Sequence, residues 1–201
     1  MTHYTYLALG DSYTIAEGVP LHQSFPYHLV QLLRHKNFSF YAPEVLARTG
    51  WTTGELLAVM ERQRLLSEYD IITLCIGVNN QYRGLAVEAY QHDLELLLQK
   101  ALLLTRDRKT SVIMMSIPDY SLTPYAAKYD QKSISHEIGI YNSIGKALSI
   151  QYKISYADIT QKKTETSDLL LLAADGLHPS AEQYKYWATL LLPLVTPLLR
   201  K

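Results

Sequence analysis

The 201-residue chain predicts an α/β fold, a parallel sheet of five strands with helices covering both faces. Three observations carry that expectation. Five short β-like runs alternate with longer segments of helical periodicity. One run, Ile71-Ile-Thr-Leu-Cys-Ile76, is apolar on both alternating sets of positions, as befits a strand buried on both faces. The first run, Tyr4 to Leu9, breaks at Gly10-Asp11-Ser12 and so projects a hydroxyl from a strand's carboxyl end. Open α/β sheets bind their ligands at that edge.

The elements follow in order. The first strand covers about Tyr4–Leu9. A helix of about Ser24–His35 comes next, with Ser24 as its N-cap and Leu29, Leu32 and Leu33 on one stripe. The second strand covers about Ser39–Ala47 and is interrupted near Pro43. Thr52-Thr-Gly-Glu55 has the capping-box pattern and opens a helix through about Arg64. Residues 70–76 form the third strand. A long helix of roughly Ala86–Thr105 carries Leu94, Leu97, Leu98, Ala101 and Leu102 at helical spacing. The fourth strand, about Ser111–Ile117, stops at Pro118, and a loop to Asp130 leads into a helix of about Ser133–Tyr152. The fifth strand is about Ile154–Ala157. The apolar run Leu169–Ala174 is read as a short helix, and Ser180-Ala-Glu-Gln183 caps a final helix reaching about Leu199.

Bulk properties narrow the function. The length suits one domain, 1–201, and no repeat or linker divides it. Nineteen basic residues balance nineteen acidic ones, so no net field recruits nucleic acid or an anionic membrane. A single cysteine, Cys75, precludes an intrachain disulfide and a cysteine metal site, and its apolar surroundings make it inert core. The longest apolar tract, Ala188 to Leu199, is broken by Pro193 and Pro197 and falls short of the ~20 residues of a membrane span. The N-terminus has no basic region, and its apolar stretch runs straight into Gly10-Asp11-Ser12. The expectation is a mature, soluble, cytoplasmic chain; a secretory leader trimmed upstream would leave no trace in it.

Four segments at strand ends offer groups that acyl transfer needs. Ser12 follows strand one and becomes a nucleophile only with a base in reach. Gly50, in Arg48-Thr-Gly-Trp51 after strand two, can present an unobstructed backbone N–H. Asn79, in Gly77-Val-Asn-Asn80 after strand three, carries an amide able to donate to an oxyanion. Asp175 and His178 precede the last helix and supply a base with a carboxylate beside it. Taken alone, each has a plain structural reading, because Gly, Asp, Ser and Asn all favour turns. Their arrival in order at strand ends sharing one edge points to a single site.

These segments resemble the four blocks of the SGNH (GDSL-type) hydrolase superfamily, in family order and over nearly the whole chain. Gly10-Asp-Ser-Tyr13 is similar to the first block, Gly50 to the second, Gly77-Val-Asn-Asn80 to the third and Asp175-Gly-Leu-His178-Pro179 to the last. The resemblance implies a flavodoxin-like three-layer α/β/α fold with strand order 2-1-3-4-5. It also implies a serine esterase in which Ser12 attacks, His178 is the base and Asp175 orients it. The N–H groups of Ser12 and Gly50, with the Asn79 amide, would then form the oxyanion hole. It calls for a small-molecule ester and no metal or organic cofactor. Two positions depart from the pattern: Tyr13 replaces the usual Leu, and Asn80 replaces the usual Asp, which bears on how Asn79 is held.

The remaining conspicuous residues have simpler expectations. Asp11 braces the turn. His22, His28, His35, His92 and His136 take surface or helix-edge roles. Tyr82, Tyr120 and Tyr125 follow strands three and four and are candidates for lining a substrate cleft, with ordinary packing as the alternative. Two other functions share these groups: a carbohydrate deacetylase or acyltransferase, and a binding domain without turnover.

Overall fold

A computed structural model describes residues 3–160 and 171–199. Five parallel strands form one sheet: β1 (Tyr6–Gly10), β2 (Glu44–Ala47), β3 (Ile71–Cys75), β4 (Val112–Met115) and β5 (Ser155–Ala157). Their order is β2-β1-β3-β4-β5. The register places Gly10 opposite Ala47 on one side and Cys75 on the other, so three strands end level at the same edge. All five residues of β1 and of β3 are buried. Continuous apolar runs are what a strand needs when helices cover both faces.

The helices are α1 (Ser12–Ile15), α2 (Phe25–His35), α3 (Thr53–Arg62), α4 (Val78–Tyr82), α5 (Val87–Leu104), α6 (Gln131–Tyr152) and α7 (Ala181–Val195). α2 packs on α7, while α3 packs on α5 and α5 on α6. The chain leaves β1 toward β2 and later resumes on the other side of β1. Right-handed crossovers therefore place the two groups of helices on opposite faces. Phe25, Tyr184 and Trp187 fill the α2–α7 side, with the Phe25 and Trp187 ring centroids 6.2 Å apart.

Several boundaries move, each for a local reason. The second strand is only Glu44–Ala47; Phe40 makes an isolated bridge to Tyr4, and the ladder lapses before Pro43. Ser24 occupies the N-cap of α2, yet its buried hydroxyl makes no cap bond. Pro26 stands at the second helical position, where an N–H would normally donate to that hydroxyl. The Thr52 capping box is present, with Thr52 accepting from the Glu55 N–H and Glu55 accepting from the Thr52 N–H. α7 ends at Val195, and a 3-10 turn, Thr196–Leu198, follows at Pro197. Of the short helix expected over Leu169–Ala174, residues 169 and 170 lie outside the described residues, and 171–174 are not helical. Leu172 instead bridges Pro179 in an antiparallel sense. α1 and α4, of four and five residues, are too short to show a helical period in the sequence.

Candidate active site

β1 turns directly into α1. A Cβ at position 10 would lie 2.0 Å from Thr14 Oγ1 and 2.4 Å from the Cys75 carbonyl oxygen, so only glycine fits. Asp11 caps α1, its Oδ1 accepting from the Tyr13 N–H at 3.0 Å, which is the bracing role expected of it. Burial pushes the Asp11 carboxyl up to about 7 against the pull of that hydrogen bond. Ser12 is the first residue of α1, so its N–H has no acceptor within the helix. Cys75 is buried beneath, and burial pushes its thiol well above the ordinary value; it is inert packing.

The loop after β2 is a turn closed by the Trp51 N–H on the Arg48 carbonyl at 3.2 Å. Gly50 sits in it at φ +83, a left-handed conformation that side chains resist. Two residues of the α4 segment hold the carbonyls that follow. The Arg83 guanidinium donates to the Gly50 oxygen, and Asn79 Nδ2 donates to the Trp51 oxygen at 3.0 Å. An amide nitrogen carries two protons, so Asn79 keeps one donor for another acceptor. Arg83 also pairs with Glu55 at 3.4 Å. The Thr52 N–H and then Arg83 hold the Glu55 carboxyl below its usual range.

Asn80, the departure from the expected Asp, is buried and turned away toward α3. Its Oδ1 accepts from the Thr53 N–H at 3.0 Å and its Nδ2 donates to Thr53 Oγ1 at 2.8 Å. The Thr53 hydroxyl thereby keeps its own proton for Asp93 at 3.4 Å. An ionised carboxylate at position 80 could only accept, so it would compete with Asp93 for that proton. Asn80 thus pins α3 to α4, while Asn79 holds the Gly50 loop.

Asp175 and His178 lie in a loop that backbone bonds close into a hairpin. The Ala173 N–H donates to the His178 oxygen at 2.8 Å, and the Ser180 N–H to the Leu171 oxygen at 2.9 Å. Asp175 Oδ1 accepts from the N–H groups of Leu177 and His178 at 2.9 and 3.0 Å. Its Oδ2 lies 2.6 Å from His178 Nδ1. Burial opposes ionisation of Asp175, but the hydrogen bonds from the imidazole and the two N–H groups outweigh it and hold the carboxyl below its usual range. An ionised carboxylate only accepts, so Nδ1 carries the proton and Nε2 is left as the acceptor. The Tyr13 ring meets the imidazole edge-on, with centroids 5.6 Å apart.

These segments converge. Ser12, Gly50, Asn79 and His178 line one cavity of about 130 Å³, together with Tyr82, Tyr120 and Tyr125. Asp175 does not line it and reaches it through the imidazole. Tyr13, Thr49, Val78 and Leu177 complete the wall and were not foreseen. Their role depends on which way each residue beside a motif points, and residue type does not reveal that. None of His22, His28, His35, His92 and His136 lines the cavity. Among the described residues, no three His, Cys, Asp or Glu side chains gather where they could share a metal ion.

The model of the GDSL-like lipase/acylhydrolase family matches residues 8–186, a stretch that runs from β1 through the Asp175–His178 loop into α7. The chain belongs to that family. Comparison with curated protein sequences returns no match. Among solved structures, Axe2, an acetylxylan esterase from Geobacillus stearothermophilus, superposes with a TM-score of 0.76 at 19% identity over 100% of both chains. TesA superposes with a TM-score of 0.70 at 21% identity, covering 97% of this chain and 99% of its own. The psychrotrophic esterase EstA from Pseudoalteromonas sp. gives 0.69 at 19% identity, covering 96% of this chain and 97% of its own. At these identities the likeness is one of fold: the three-layer α/β/α arrangement with strand order 2-1-3-4-5. Among the described residues of this family member, no helix is long and apolar enough to cross a membrane.

Proposed function

We propose that this GDSL-family hydrolase cleaves carboxylic esters of small molecules through an acyl-Ser12 intermediate. His178 Nε2 takes the Ser12 proton as Oγ attacks the ester carbonyl, and returns it to the leaving alcohol. Asp175 keeps Nδ1 protonated and offsets the charge that forms on the ring. The oxyanion is met by the N–H groups of Ser12 and Gly50 and by the free Asn79 proton. Water, activated by the same imidazole, then releases the acid.

The observation that carries this reading is the 2.6 Å contact of His178 Nδ1 with Asp175, made by an imidazole that lines the same cavity as Ser12, Gly50 and Asn79. Ser12→Ala should abolish hydrolysis of p-nitrophenyl acetate without changing the far-UV spectrum or Tm. A fluorophosphonate should label Ser12, as peptide mass mapping would show. Label on another residue, or turnover by the variant, refutes the assignment.

A further inference from the structure

Three tyrosines stand together at the rim of the cavity, and the reaction as derived uses none of them. Tyr82 comes from α4, and Tyr125 and Tyr129 from the loop between β4 and α6. Tyr82 is 47% exposed and Tyr129 41%, a large apolar area to leave in water without a purpose. The Tyr82 ring centroid lies 6.4 Å from that of Tyr125 and 6.5 Å from that of Tyr129. Their hydroxyls meet: Tyr82 to Tyr125 at 2.8 Å, and Tyr82 to Tyr129 at 3.5 Å. The Lys128 ammonium lies 4.9 Å from the Tyr125 ring centroid and 5.1 Å from that of Tyr129.

From this cluster we infer a subsite for a sugar ring, which makes the ester cleaved at Ser12 an O-acylated carbohydrate. The inference rests on the proposed acyl-Ser12 reaction and names its substrate class. The phenol hydroxyls bond one another, but a fatty chain laid over them would cut these hydroxyls and the Lys128 ammonium off from water and offer them no further partner. An unsubstituted aryl ring would meet the same penalty. A sugar matches both halves of the surface. Its C–H faces carry partial positive charge and lie on the negative faces of aromatic rings. Its hydroxyls bond to phenols that retain acceptor capacity beyond their mutual bonds. The cavity at Ser12, about 130 Å³, is of the size that holds one small ring or a short acyl group, so the sugar lies at the rim and the acyl group inside.

The test compares an acetylated xylo-oligosaccharide, ethyl acetate, phenyl acetate and ethyl octanoate on the wild type and on Tyr129→Ala, which alters a ring outside the cavity wall. On the acetylated sugar, kcat/KM should fall by about 3- to 10-fold, mostly through KM, the size expected for losing one aromatic contact. That loss should exceed the loss on each of the other three esters. Equal losses on all four overturn the proposal, as does a larger loss on phenyl acetate or ethyl octanoate. Calorimetric titration of the oligosaccharide into Ser12→Ala should show binding that Tyr129→Ala weakens in the double variant; equal binding with and without Tyr129 overturns it as well. Hydrolysis persisting in Ser12→Ala would strike the acyl-Ser12 reading instead, and the titration separates the two failures.

Discussion

Replacing Arg83 by alanine should slow turnover while leaving the fold and substrate affinity nearly intact. The guanidinium spans two elements, donating to the Gly50 carbonyl and pairing with Glu55 at 3.4 Å. Both side chains of that pair are more than two-fifths exposed, so its loss should cost no more than about 1 kcal/mol of stability. The kinetic effect has a different source. Without Arg83, the turn carrying Gly50 is held from α4 by the Asn79 bond to Trp51 alone. Removing an oxyanion donor outright costs roughly 10²–10³ in kcat. A donor that remains but drifts should cost less, about 10- to 100-fold, or ~1.4–2.7 kcal/mol of barrier. Steady-state kinetics on p-nitrophenyl acetate, alongside urea denaturation, measures both quantities. Asn79→Ala combined with Arg83→Ala should lose less than the product of the single losses, because both side chains hold one loop. A change confined to KM, or independent multiplying losses, would refute the claim that Arg83 positions the Gly50 N–H.

Three further outcomes are expected. Asn79→Ala alone should lower kcat by about 10²–10³ with a smaller change in KM, measured on the same ester. His178→Ala should remove nearly all activity, Asp175→Ala somewhat less, and the double variant no more than His178→Ala, since an orienting carboxylate has no value without its imidazole. Asp11→Asn should change the pH dependence of stability. An unfolded Asp ionises near its ordinary value of 3.8, whereas buried Asp11 ionises near 7, so wild-type stability from this group is full below 3.8 and falls as pH rises to 7. That span corresponds to about 4 kcal/mol. Denaturation should show the variant within ~1 kcal/mol of wild type at pH 4 and more stable by a few kcal/mol at pH 8; a difference constant with pH contradicts the buried-acid account.

The layered sheet was legible because its signals are local. The run at residues 71–76, apolar but for Thr73, calls for two covered faces, and its residues 71–75 form β3 with every one buried. The Thr52–Glu55 capping box is satisfied within four residues and needed no tertiary help. Three of the chemical segments could be found because each follows a strand, and the Asp175–His178 segment because it precedes a capped helix, although the strand order came from family likeness and not from periodicity.

Other features of the site arise from contacts between residues distant in sequence. Arg83 carries no motif, and its role appears only where α4 crosses the Gly50 turn. The exchange of Asp for Asn at position 80 makes sense only through Thr53 and Asp93, which lie 27 residues before it and 13 after it. The run Leu171–Ala174 looks helical by composition but is drawn into a hairpin with His178 and Ser180, because those backbone bonds hold Asp175 against the imidazole. The tyrosine cluster joins α4 to a loop more than 40 residues later. Local sequence therefore determined which backbone segments become strands and caps, since propensity, burial period and capping act within a few residues. Which side chains meet at the Ser12 cavity was decided by how parallel strands align their ends and how loops close on one another.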